Sequence, residues 1–158
     1  MIQLIPIGTI HTPFKETRGM PIQPAGAKGV EGTVEVLPEL ADGLKDLDGF
    51  SHAILLYHFH QCFGYQLRVT PFLDKEERGV FATRAPKRPN PIGLSVVEVT
   101  GVESNIIHVK NIDILDGTPL LDIKPYVPKF DTPEFSRTGW LERTQENTPE
   151  TRADERFK

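Results

Sequence analysis

Three cations fall within five positions of one proline-rich stretch: Arg84, Lys87 and Arg88 in Thr83-Arg84-Ala85-Pro86-Lys87-Arg88-Pro89-Asn90-Pro91-Ile92-Gly93. Pro86, Pro89 and Pro91 reduce the freedom this loop must give up on ordering, so its cations are presented preorganised. Guanidinium groups at fixed spacing suit planar anions such as phosphate or carboxylate. The bland alternative is a stiff solvated turn between strands, but a mere turn needs neither the cations nor so many prolines.

A second constellation is Asp113-Ile114-Leu115-Asp116-Gly117-Thr118-Pro119, which follows an expected strand. Carboxylates and a glycine at a strand end can accept hydrogen bonds from ribose hydroxyls and let a ligand approach the backbone. Asp-Gly-Thr-Pro is equally an ordinary turn sequence. A third is the row His52, His58 and His60, which an extended strand places on one face together with Ile54 and Leu56. His-x-His on a barrel strand is a metal-ligand arrangement, so a cupin-like metal enzyme is one reading and hydrogen-bonded structural histidines are the other. Gln23, in Pro21-Ile22-Gln23-Pro24, carries a donor and an acceptor that suit a purine edge. Cys62 reads as a small buried apolar residue, and Lys124 shares a strand face with Asp122 and can pair with it.

The elements that must position these groups are mostly strands. Gln3 to Ile10 and Val30 to Val36 read as the first two, separated by a long loop from His11 to Gly29 with three prolines and three glycines. Leu40, Leu44 and Leu47 at helical spacing behind Pro38 predict a short helix. Ser51 to His60 is the most hydrophobic segment and a central strand. Leu67 to Phe72 and Gly79 to Thr83 are shorter strands around the charged turn Asp74 to Arg78. Gly93 to Glu103 and Ile106 to Ile112 form a hairpin through Ser104-Asn105, and Leu121 to Tyr126 adds a last strand. Turn signals every 8 to 12 residues favour an antiparallel barrel or sandwich over a doubly wound α/β fold. No GxGxxG follows a strand, so a nucleotide cofactor would bind outside the usual dinucleotide arrangement.

The chain has 158 residues and a net charge of −4, and 38% of it is hydrophobic. That length suits one domain with a genuine core. The negative balance argues against a general nucleic-acid binder, so any RNA contact must be concentrated in a local basic patch. No apolar run approaches the roughly 20 residues that span a bilayer. The N-terminus lacks signal-peptide features, and a single cysteine excludes an internal disulfide framework, which together suggest a cytoplasmic protein. From Lys129 onward thirteen of thirty residues are charged, with Phe135, Trp140 and Leu141 as apolar exceptions able to pin this tail to a surface. The last ten or so residues are expected to fray. The expected division is residues 1–131 as the barrel and 132–158 as the tail.

Taken in order, the segments resemble the TsaA-like (TrmO-type) family. The matching pieces are Ile7-Gly8-Thr9-Ile10, Pro13-Phe14-Lys15, Pro21-Ile22-Gln23, Phe50-Ser51-His52, Phe59-His60-Gln61, Gly79 to Arg84, Arg88 to Gly93, Asp116 to Pro119 and Asp122 to Tyr126. They cover residues 4 to 131, and their combination is specific although each piece is weak. The resemblance implies a single-domain antiparallel β-barrel methyltransferase of non-Rossmann type, mainly β with one short helix, working as a homodimer with the cofactor site near the interface. It implies S-adenosylmethionine as methyl donor and N6-methylation of the threonylcarbamoyl-modified adenosine 3′ of the tRNA anticodon. Carried over by motif, the cofactor contacts fall on Pro21, Ile22, Gln23, His60, Gln61, Arg84, Leu94, Lys110, Asn111, Ile112 and Asp113. Longer members carry a second domain where this chain has its short charged tail.

On that basis Asn90, framed by two prolines, is the expected catalytic acceptor for the N6 hydrogen. Arg84, Lys87 and Arg88 would neutralise the donor's carboxylate or an RNA phosphate, with Lys87 and Arg88 taken as the RNA contacts in the anticodon loop. The methyl donor is itself a cation, so no metal is required. Two rivals stand beside this reading: a metal-dependent barrel enzyme built on His52, His58 and His60, and a non-catalytic RNA-binding module.

Overall fold

The computed structural model describes residues 1–22, 24–72 and 74–143, so Gln23 and the last fifteen residues of the tail lie outside the described residues. Six antiparallel strands close into a barrel: β1 (Gly8–His11), β2 (Glu31–Val36), β3 (His52–His58), β6 (Ile92–Glu103), β7 (Ile106–Lys110) and β8 (Thr118–Pro125). Their order around the barrel is β1-β2-β7-β6-β3-β8, with β8 pairing back onto β1. Two short strands, β4 (Arg68–Val69) and β5 (Arg78–Gly79), make a separate ribbon. The expectation of a mainly β, antiparallel barrel is met.

Alternation along the strands builds the core. In β3, Ala53, Leu55 and Tyr57 are buried while His52, Ile54, Leu56 and His58 are half-buried on the outer wall. Ile10, Val34, Val36, Val97, Ile107, Val109 and Leu120 fill the same interior from the other strands, so the barrel holds packed side chains rather than a channel. Ser104, at φ 56°, starts the two-residue turn between β6 and β7, and Asn105 donates its side-chain amide to the Val36 carbonyl at 2.8 Å.

Several expected elements differ. The strand expected over Gly79 to Thr83 is only the pair Arg78–Gly79, followed by a 3-10 turn at Val80–Ala82. The first strand begins at Gly8 rather than Gln3, since Pro6 has no N–H to donate; pairing extends only one residue further out, Ile7 donating to the Leu120 carbonyl at 2.8 Å. The segment expected to be a helix is two 3-10 stretches, Pro38–Leu44 and Leu47–Gly49, separated by Asp46 in the left-handed region at φ 70°. Leu44 and Leu47 still reach the core, so the apolar spacing served burial while the chain was too short and too rich in Asp and Gly to sustain an α-helix. The α-helix among the described residues is instead the single turn α1 (Pro128–Asp131). In the tail, Phe135 is exposed, but Trp140 donates its indole N–H to the Ala82 carbonyl at 2.8 Å and lies under the Arg78 guanidinium.

Candidate active site at the barrel mouth

Because every neighbouring pair is antiparallel, one end of the barrel collects the end of β3, the start of β6, the end of β7 and the start of β8. Most of the residues singled out by sequence fall at that end: His60 and Gln61 after β3, Leu94 on β6, Lys110 at the end of β7 with Asn111 to Asp113 after it, and the Arg84–Asn90 loop that leads into β6. The long first loop is tied to the same end, since Gly29 donates to the Asn111 side-chain oxygen at 2.8 Å and the 3-10 turn Pro24–Ala27 packs against β6.

At the floor of this mouth lies a buried polar chain. The Tyr57 hydroxyl is 2.8 Å from Ser95 Oγ, and Ser95 donates to Asp113 Oδ1 at 2.7 Å. With the Ser95 hydrogen spent on Asp113, the tyrosine must be the donor of the first bond. Ser95 is 1% and Tyr57 6% exposed. Burial pushes the Asp113 carboxyl up to about 6, opposed by the Ser95 hydrogen bond, its own backbone N–H and the Arg84 charge. Burial, reinforced by the charge of Asp113, likewise drives the Tyr57 phenol far above its ordinary range. Arg84 acts electrostatically on both groups, so the charge of an exposed arginine is felt at a half-buried carboxyl.

The remaining candidates divide by what they do. Ile112 is 0% exposed, so only its backbone could meet a ligand. Asn111, at φ 62°, spends its side-chain oxygen on Gly29 and its N–H on the Val30 carbonyl at 2.8 Å, holding the turn. Lys110 faces Glu31 at 3.8 Å. Leu94 points outward and is 45% exposed, Gln61 is exposed, Pro21 is buried and Ile22 half-buried. Arg88 donates to the Thr83 and Ala85 carbonyls at 2.8 and 3.2 Å, so it braces the cationic loop from within. Asn90 is exposed, its own carbonyl accepting from the Ile92 N–H at 2.7 Å. Lys87 is half-buried beside Cys62, whose thiol burial shifts upward, toward the neutral form.

Asp116 serves the loop rather than the mouth. It takes the Lys15 ammonium at 2.8 Å and the Thr12 N–H at 2.9 Å, and these hold its carboxyl below the usual range. Lys124 pairs with Asp122 at 2.9 Å, as their shared face suggested. The histidine row does not converge: His52 and His58 stand six residues apart on one strand, roughly 20 Å at the usual rise. His52 instead bonds Ser51 Oγ at 2.8 Å. No group of three or more His, Cys, Asp or Glu suited to a metal occurs among the described residues. Sequence reasoning missed Tyr57 and Ser95; the available signal was the inward register of β3 and β6, which commits two hydroxyls to the interior, where each needs a partner.

Comparison with known proteins returns the tRNA-methyltransferase O N-terminal domain family over residues 9–132. The chain is 56% identical over 157 residues to a probable S-adenosyl-L-methionine-binding protein of Pyrococcus abyssi, covering 99% of this chain and 85% of that one. It is 42% identical over 132 residues to the tRNA (adenine(37)-N6)-methyltransferase of Escherichia coli, covering 77% of this chain and 55% of the enzyme. The crystal structure of TrmO from Pseudomonas aeruginosa superposes with a TM-score of 0.75 at 42% identity, covering 89% of this chain and 62% of that one. The chain thus spans a little over half the length of the bacterial methyltransferases it matches.

Proposed function

The chain belongs to the tRNA-methyltransferase O N-terminal domain family, and from that membership we propose that it binds S-adenosylmethionine at the barrel mouth and methylates N6 of an adenosine in tRNA. The adenosine is the threonylcarbamoyl-modified one 3′ of the anticodon, and the setting is the cytoplasm. The observation that carries the reading is the exposed Arg84, whose charge acts on the half-buried Asp113 carboxyl held by Ser95 at the mouth. S-adenosylmethionine bears a carboxylate together with cationic groups, and this pair offers one partner of each sign. The packed interior leaves no room inside the barrel, so the ligand sits on the rim.

The bound cofactor supplies an electrophilic methyl group on a cationic sulfur. The chain supplies position and polarity. Arg84 holds the donor's carboxylate, with Arg88 fixing the loop that presents it. The N6 lone pair of adenine is delocalised into its ring, so a group that accepts a hydrogen bond from N6–H moves density toward nitrogen; Asn90 has that role. Holding N6 at near-attack distance contributes several kcal/mol more. Lys87 meets an RNA phosphate, and a base splayed from the anticodon loop is reached without opening a duplex.

The protein acts as a homodimer with the mouth near the interface. In support, large apolar side chains stand exposed, among them Leu94 on β6 at 45% and Phe81 just before the cationic loop at 75%, a display expected of a surface that is covered in use. The deciding experiment is methylation of tRNA, with and without threonylcarbamoylation, followed by mass spectrometry of the nucleosides. Appearance of N6-methylated product supports the reading. Cofactor binding with no methyl transfer to any tRNA would leave a binding module.

A further inference from the structure

We infer that Asp113 reads the charge on sulfur, distinguishing the sulfonium cofactor from the neutral thioether product. This rests on the cofactor reading above and goes further, because it names the group that makes the product leave. The geometry is specific. Oδ1 of Asp113 is fixed by Ser95 at 2.7 Å, and Ser95 is fixed in turn by Tyr57 at 2.8 Å. One oxygen of the carboxyl is therefore held in place. The groups that act on it are Ser95 of β6 by a direct hydrogen bond, Tyr57 of β3 through Ser95, and Arg84 of the loop before β6 through its charge. Among the described residues, Arg84 is the cation whose charge opposes the upward shift of the Asp113 carboxyl.

A zwitterionic ligand changes that balance. Once Arg84 is engaged by the ligand's carboxylate, Asp113 loses much of its compensation and must find another cation or take up a proton. The sulfonium provides the cation. Methyl transfer breaks the S–CH3 bond, leaves the bonding pair on sulfur, forms the N6–CH3 bond and releases the N6 proton to water. The product keeps the carboxylate that occupies Arg84 but has lost the charge that satisfied Asp113. At neutral pH it leaves a half-buried carboxylate uncompensated, so it binds weakly or binds with proton uptake. In low-dielectric surroundings a single unit charge at contact distance is worth enough to set such a preference.

The test uses the full chain and two probes, S-adenosylmethionine and S-adenosylhomocysteine, titrated calorimetrically at pH 5.0 and 7.5 in buffers of different ionisation enthalpy. The wild-type preference for the sulfonium is expected to be about tenfold at pH 7.5 and near unity at pH 5.0, with the product taking up a proton at pH 7.5. Asp113→Asn should abolish the preference at both pH values, which also separates Asp113 from His60. Ser95→Ala keeps the carboxyl but removes its donor, so the midpoint of the pH dependence should move upward; this arm stands even where Asp113→Asn perturbs the fold. Equal weakening of both probes by Asp113→Asn would show that Asp113 holds the shared ammonium or ribose and would overturn the inference while leaving the cofactor reading standing. Equal wild-type affinities at pH 7.5 would do the same. Failure of the wild type to bind either probe would overturn the cofactor reading itself.

Discussion

The ring of Tyr57 lies directly against the Cα of Gly93, its cross-strand partner, in the space a Cβ would occupy. Phe59 closes the same space, a Cβ at Gly93 falling 2.8 Å from its ring. The glycine is therefore what allows the phenol to reach Ser95. Gly93→Ala should lower stability by about 1–3 kcal/mol through overpacking, read as a shift in the denaturant midpoint. It should also weaken cofactor binding more than Gly101→Ala, where no atom lies within 4 Å of the added carbon.

Asp113 makes the folded state sensitive to pH in an unusual direction. Its carboxyl is raised to about 6 in the folded protein, so the fold favours the protonated form. That contribution is fully present below the unfolded carboxylate range near 4 and is lost as pH rises through about 6. Asp113→Asn should accordingly match the wild type in stability near pH 4 and exceed it by about 1–3 kcal/mol at pH 7.5. Denaturant melts at the two pH values measure the difference; a variant less stable at pH 7.5 contradicts the argument.

Arg84 and Asn90 sit on one loop but should separate kinetically. Arg84→Ala should weaken S-adenosylmethionine binding about tenfold or more by removing a charge-assisted contact. Asn90→Ala should leave that affinity nearly unchanged and lower kcat by one to two orders of magnitude, about the cost of a lost polarising contact. Calorimetry and steady-state kinetics on the same preparations distinguish the two.

Trp140 joins the tail to the turn that begins the cationic loop, through the Ala82 carbonyl. Trp140→Phe retains much of the apolar contact but deletes the donor. It should cost about 1 kcal/mol and raise amide exchange around Val80–Ala82 while leaving exchange in β7 unaltered.

Much of the barrel was legible because its strands obey a period of two and are punctuated by turns: β3, β6 and β7 appear within a few residues of where alternation placed them. The 3-10 stretches were not, since Leu40, Leu44 and Leu47 satisfy a helical pattern while the backbone turns differently between them. In the site, the cationic loop was visible through its composition, and its division of labour was not. Arg84 and Arg88 are the same residue type four positions apart, yet one is exposed and acts by its charge on a half-buried carboxyl while the other bonds its own loop. Tyr57 and Ser95 were invisible as a pair because their bond spans 38 residues and depends on register between β3 and β6. Local sequence carries no such information.

Closure of the six strands has a consequence for how copies of the chain can meet. Each barrel strand already has a hydrogen-bonded neighbour on both sides, so no partner can join by adding a strand of its own to the barrel. Self-association at the barrel must proceed through side-chain surfaces, and it can therefore be tuned by exchanging single exposed residues such as Leu94 without disturbing the hydrogen-bonded wall.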